Sequence, residues 1–179
     1  EGAGKPIALE ADLGIGSAGL NPGAKPSGAI VQATDPVFLD IYSARDGYYA
    51  DTTRAFCAST PDARQREIHA ILLEAQLRGM EALQPGVRAC DVDQAVRTVI
   101  EKAGYGAYFG HHAGHAFNFF QQDIPYFIPA ETKPVEEGMT VTLEPGIYLP
   151  GWGGMRLERN YLITASGAEV LDTFPLDLV

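Results

Sequence analysis

The sequence predicts one α+β domain in which two helices pack on a single curved, mostly antiparallel sheet. Three features predict it: strand-like runs in pairs towards the start and the end of the chain, two helical stretches between them, and no repeat at solenoid period. A chain of 179 residues with 46% hydrophobic composition is long enough for one core and too short for two full domains.

Residues 1–30 are rich in Gly, Ala and Pro and show little helical period. Within them Gly14-Ile15-Gly16-Ser17-Ala18-Gly19 matches the GxGxxG pattern of dinucleotide-binding turns. That pattern needs a helix to open directly after the glycines, whereas Asn21-Pro22-Gly23 and then Pro26 follow. A glycine-rich loop between strands is the expectation instead. Residues 36–57 read as a hairpin, with a strand over Val37 to Tyr42, turn chemistry at Arg45-Asp46-Gly47 and a return over Tyr48 to Phe56.

Thr60-Pro61-Asp62 then supplies an N-cap with proline at the first helical position. Ile68, Ile71, Leu72, Ala75 and Leu83 give that helix its apolar stripe, and Pro85-Gly86 ends it. A second helix starts near Asp91, places Val92, Ala95, Val96, Val99 and Ile100 on one face, and closes at Gly104. After a Gly/His segment at 110–115 and an aromatic loop with proline, strands return over Met139 to Glu144 and Met155 to Thr164. From Asp172 onward the chain is a short tail.

The net charge of −10 argues against nucleic acid, whose phosphates call for clustered Lys and Arg. No run approaches the roughly 18 apolar residues of a membrane span. Glu1 to Pro6 show neither the basic nor the apolar stretch of a signal peptide. Cys57 and Cys90 lack CxxC spacing and read as reduced, partly buried thiols, which points to a cytoplasmic setting.

Asp40 is the odd residue of its strand, a carboxylate among Val37, Phe38, Leu39 and Ile41. Burying it is costly without a counter-charge. Asp51 follows 11 residues later, an odd separation that puts both aspartates on one face of the hairpin. Like charges opposed across a hairpin repel unless something positive sits between them. Glu144 ends an apolar strand before Pro145-Gly146, and Glu158 sits on the partner strand beyond Gly151-Trp152-Gly153-Gly154. His111 stands between Gly110 and Gly114. Four carboxylates and one imidazole, with no thiolate, make an oxygen-rich site suited to Mn, Co, Fe(II) or Zn, and four negative charges balance two divalent cations. His69, His112 and His115 read as packing or supporting residues, and Arg54 and Arg159 as salt-bridge or surface groups.

These segments resemble the family of methionine aminopeptidases, Xaa-Pro aminopeptidases, prolidases and creatinase, from about Ile7 to Leu171. The similarity lies in Phe38-Leu39-Asp40-Ile41 with Tyr49-Ala50-Asp51-Thr52-Thr53-Arg54, in Gly110-His111-His112-Ala113-Gly114, in Thr142-Leu143-Glu144-Pro145-Gly146 and in Gly154-Met155-Arg156-Leu157-Glu158. The resemblance implies a pita-bread fold and a hydrolase with two divalent metal ions. Asp40 would chelate the first ion, Asp51 and Glu158 would bridge the pair, and His111 and Glu144 would complete the second. It also implies metal-activated water as nucleophile and Glu144, with His111, in the catalytic role. Arg156 is expected to hold a substrate carboxylate, with His115 and Asn118 also on the substrate side.

Three departures bear on the substrate. The family's peptidases carry a second histidine seven residues after the metal-binding one, and counted from His111 that position is Asn118. The usual His-Glu-x-Pro there reads Asn118-Phe119-Phe120-Gln121. No histidine precedes His69, although a substrate histidine is expected in the loop before Asp40. The family's domain also opens with a pair of helices before the first strands, and this chain starts after them. It is therefore expected to be the C-terminal portion of a longer protein, or to have the missing cover supplied by a partner, a homodimer included. Three activities are implied: an Xaa-Pro peptidase, a relative acting on a small nonpeptide C–N compound, and a binding module without catalysis.

Overall fold

A computed structural model describes residues 7–178, so the Glu1 to Pro6 stretch lies outside the described residues. Strands β1 (Ile7–Ile15), β2 (Pro36–Arg45) and β3 (Tyr48–Cys57) form an antiparallel sheet in that order. The hairpin is the one the sequence predicts. Its two central turn residues, Asp46 and Gly47, have φ of 55° and 89°, the positive pair that matches the twist of the flanking strands. Strand β1 was hidden in the Gly/Ala-rich opening. Gly14 and Ile15 end it, and Gly16–Leu20 make one 3-10 turn. The glycines there serve close packing, because a Cβ on Gly14 would run into the Phe38 ring and one on Gly19 would lie 2.9 Å from the Gly14 backbone.

Helix α1 (Ala63–Ala82) is capped by Asp62, not by Thr60. The Asp62 carboxylate accepts from Gln65 N at 2.8 Å while Gln65 Oε1 accepts from Asp62 N at 2.8 Å. This reciprocal box needs an acceptor with a Gln or Glu three residues on, which Thr60 lacks. Pro61 therefore precedes the cap instead of opening the first turn. Helix α2 (Ala89–Lys102) begins two residues before the expected Asp91, where Ala89 N and Cys90 N donate to the Lys133 and Glu131 carbonyls. Ile68, Leu72 and Ala75 of α1 meet Val92, Val96 and Ile100 of α2 in the core. Gly79 lets the helices close on the second sheet, since a Cβ there would sit 2.7 Å from Val96 and 2.8 Å from Leu143.

That second sheet is antiparallel and runs in the order β10 (Gly167–Val170), β9 (Arg159–Thr164), β6 (Thr140–Leu143), β4 (His115–Ala116), β5 (Asp123–Tyr126). Strands β7 (Gly146–Leu149) and β8 (Gly153–Arg156) form a separate pair. The single expected sheet is thus three antiparallel sheets, with the helices outside. The expected strand from Met155 to Thr164 breaks at Leu157-Glu158, because Leu157 N turns to the Pro145 carbonyl and Glu158 N to the Thr53 carbonyl at 3.0 Å. Glu158 therefore stands at the seam between the two larger sheets.

Arg54 is buried beside that seam and donates to the carbonyls of Thr53, Glu158, Phe174 and Pro175 and to the Asp172 carboxylate. It fastens the tail to the first sheet. His69 is also buried, with Nε2 2.7 Å from the Leu176 carbonyl. Cys57 and Cys90 are free. Among the described residues no helix is long and apolar enough to cross a membrane.

Candidate metal centre

The seam opens into a cavity of about 250 Å³ whose lining includes Asp12, Asp40, Asp51, Glu144, Glu158 and Arg156. Register explains the first pair. Asp40 faces Thr53 and Asp51 faces Tyr42 across the β2–β3 ladder, so the two aspartates share a face as expected. They lie diagonally, however, and not directly opposite. Glu144 follows β6, where its N–H donates to the Ala113 carbonyl at 2.8 Å. Glu158 Oε2 accepts from Thr53 Oγ1 at 2.8 Å. All four acids are buried, and Asp40 Oδ1 and Asp51 Oδ1 have no hydrogen-bond partner among the described residues.

Three imidazoles meet this acid floor in different ways. His115 lies on β4, in the interior of the five-stranded sheet, and is 1% exposed. Its Nδ1 is 2.9 Å from the Ala116 carbonyl, which assigns the proton to that nitrogen. Nε2 then carries a lone pair, 3.5 Å from Glu144 Oε1 and 3.8 Å from Asp51 Oδ2. His111 has both nitrogens engaged, Nδ1 with the His112 carbonyl at 2.8 Å and Nε2 with Tyr148 Oη at 3.1 Å. His112 Nδ1 is 3.1 Å from Glu144 Oε1. Two groups of potential ligands result: Asp51, His115 and Glu158, and His111, His112 and Glu144, each with its ligand atoms within 4.8 Å of one another.

Arg156 is the guanidinium of the cavity, and four of its five N–H donors have acceptors among the described residues. It donates to Asp40 at 2.5 Å, Tyr148 Oη at 2.9 Å, Thr53 Oγ1 at 3.1 Å and the Pro22 carbonyl at 3.1 Å. Among the four acids it bonds Asp40. Asn118 is exposed outside this cavity, its backbone engaged with Tyr49 and Phe120. Gln121 and Gln122 come in instead, with Gln121 Nε2 donating to Asp51 at 3.3 Å. Counted from His115, the seventh residue is Gln122, and Gln122-Asp123-Ile124-Pro125 keeps the acid and the proline of His-Glu-x-Pro. That register was the signal in the sequence that singles out His115.

Burial, then the Asp40 and Glu144 charges, push the Asp51 carboxyl up to about 9. Burial and the neighbouring acids, Asp51 first, also raise Glu158. Burial works on Glu144 too, but His112, His111 and His115 outweigh it and hold that carboxyl at about 2. Burial lowers His115 and takes His111 down to about 4, so both rings are neutral near pH 7. Without metal, folded Asp51 keeps a proton that the unfolded chain releases near about pH 4. Stability therefore falls as pH rises between about 4 and 9. Melting temperatures of chelated protein should drop across that window. Saturating Mn(II) or the Asp51→Asn substitution should flatten the slope.

The sequence profile of metallopeptidase family M24 matches residues 2–165. The chain belongs to that family. Among curated M24 relatives, it is 39% identical to the putative dipeptidase YkvY of Bacillus subtilis over 88% of this chain and 44% of that one. It is 37% identical to the Xaa-Pro dipeptidase of Pyrococcus furiosus over 95% and 49%. The solved prolidase from Pyrococcus furiosus superposes with a TM-score of 0.89 at 35% identity, covering 92% of this chain and 49% of that one. The chain thus has the M24 pita-bread architecture and spans about half the length of these relatives.

Proposed function

We propose that this chain forms the reacting centre of a dinuclear metallohydrolase that cleaves a peptide or peptide-like amide bond, of the Xaa-Pro dipeptidase type. The observation that carries the reading is the convergence of two unpartnered carboxylate oxygens, on Asp40 and Asp51, and the Glu144 carboxylate with the free Nε2 lone pair of His115. Such groups repel each other in a buried site unless cations lie among them. The donor set fits divalent cations: Asp40, Asp51, Glu144 and Glu158 would hold them, with His115 as the imidazole in place of His111. Mn, Co, Zn and Fe(II) all suit that mixture of oxygen and nitrogen. When bound, the ions lower the pKa of water and polarise the scissile carbonyl.

The remaining steps belong to the chain's own side chains. Glu144, kept ionised chiefly by His112, takes the proton of the attacking water and returns it to the leaving nitrogen. Tyr148 Oη accepts from Arg156 Nη1 and gives its own proton to His111 Nε2, which links these two lining side chains. Free Cys57 and Cys90 fit a reducing, cytoplasmic setting.

The test is hydrolysis of a panel of Xaa-Pro dipeptides by the complete Mn(II)- or Co(II)-loaded protein. Cleavage is expected, with a loss of about 10²- to 10⁴-fold in Glu144→Gln. Gln122 cannot carry a proton where the family's histidine can, which favours a second reading, a small nonpeptide C–N substrate. Turnover of small amides with none of the dipeptides would put that reading first.

A further inference from the structure

Helix α2 carries an acid–base pair with a buried carboxylate that the chemistry above does not use. Asp93 is 1% exposed, and Arg97, one turn along, grips it with both arms of its fork: Nε to Oδ2 at 2.9 Å and Nη2 to Oδ1 at 2.7 Å. A helix-surface ion pair would end there. Here the remaining donors of the guanidinium leave the helix. Nη1 donates to the Phe109 carbonyl and Nη2 to the His111 carbonyl, each at 3.0 Å. The guanidinium also lies 4.4 Å from the centre of the Phe109 ring, which meets the His111 ring edge-on at 5.0 Å.

We infer that Asp93 and Arg97 are positioning residues, which set the backbone of residues 109–112 and through it the placement of His111 and His112 against Glu144. The inference rests on the reading of Glu144 as the proton carrier. Residues 109–112 belong to no helix or strand, and a Cβ at Gly110 would meet nothing within 4 Å. Such a stretch has little stiffness of its own. Its downstream end is tied where Ala113 N donates to the Phe127 carbonyl. Upstream, the planar fork of Arg97 fixes two carbonyls two residues apart, and Asp93 fixes the fork. Lysine, a single ammonium, cannot hold two carbonyls and a bidentate acid in one geometry. From the clamped segment His112 reaches Glu144 at 3.1 Å, and the His112 carbonyl sets the tautomer of His111.

The experiment uses the complete Mn(II)-loaded protein with Arg97→Met, Arg97→Lys and Asp93→Asn, and Arg78→Met as a control at an exposed helix pair. Kinetics on an Xaa-Pro dipeptide are expected to show kcat lower by about 10- to 100-fold in Arg97→Met, with KM within about twofold. Asp93→Asn and Arg97→Lys should fall between, and Arg78→Met should match the parent. Arg97→Met should add little to His112→Gln, because both act through one segment. A merely structural pair would lower the melting temperature, leave kcat intact and multiply with His112→Gln, and that result overturns the inference. Imidazole resonances of the metal-free protein read the same placement without turnover. Arg97→Met should shift those of His111 and His112 and leave His69 in place. If no dipeptide is cleaved but these shifts occur, the functional reading fails and the clamp stands. Unmoved resonances overturn the clamp whatever the activity.

Discussion

Titrating the chelated protein with Mn(II) is expected to bind two ions per chain and to raise the melting temperature, and His115→Ala should remove most of that rise. An ion bound only by the folded state adds about 2.7 kcal/mol at a hundred times its Kd. For a domain of this size that is roughly 5 to 10 °C. His115 is the discriminating position because its Nδ1 proton is spoken for by the Ala116 carbonyl, leaving Nε2 open towards Asp51 and Glu144. His111→Ala should keep both ions, since both ring nitrogens of His111 are already engaged. Calorimetry and melting curves on the two variants decide the matter. Loss of an ion in His111→Ala and retention in His115→Ala would restore the ligand set expected from Gly110-His111-His112.

Gly114→Ala is expected to disable the site, while Gly110→Ala, four residues earlier, should be almost silent. A Cβ at Gly114 would run into the Thr142 carbonyl and come within 2.9 Å of the Phe127 ring. A backbone carbonyl cannot rotate away, so β4 and β6 would have to part, carrying His115 with them. Overpacking of this kind costs roughly 1–3 kcal/mol. A displacement near 1 Å at a reacting group costs about 10²-fold in rate. Gly110 meets nothing within 4 Å. Thermal melts together with kcat/KM on an Xaa-Pro dipeptide would show the contrast, and equal behaviour of the two variants would remove the close approach as an explanation of where His115 sits.

Features encoded locally were legible in the sequence. The Asp46-Gly47 turn fixes the hairpin register, and the register puts Asp40 and Asp51 on one face. Val92, Val96 and Ile100 repeat at helical spacing and are buried together. What was not legible depends on partners far along the chain. The Gln122-Asp123-Ile124-Pro125 register favours His115, but the physical reason, which histidine lies on a strand and which ring nitrogen its neighbour claims, depends on β5 and β6. Glu158 reads as a strand residue until the Thr53 carbonyl is found to take its N–H. Arg54 reads as a salt-bridge or surface group because most of its acceptors are carbonyls, which a sequence does not display. Strand β1 was masked by its glycines and alanines, whose small size is what lets the Phe38 ring close over Gly14.

The seam occupied by Glu158 also makes the metal centre a cross-link. Thr53 and Glu158, joined through their side chains, are 105 residues apart in sequence. Ions shared by Asp51 and Glu158 would close a loop of that length as a disulfide does, and closing about 100 residues is worth roughly 4–5 kcal/mol against the unfolded chain. Chelation would then loosen the grip of one sheet on the other before either sheet melts. A polypeptide cut between α2 and β4 should hold its two fragments together more tightly with metal present than without it.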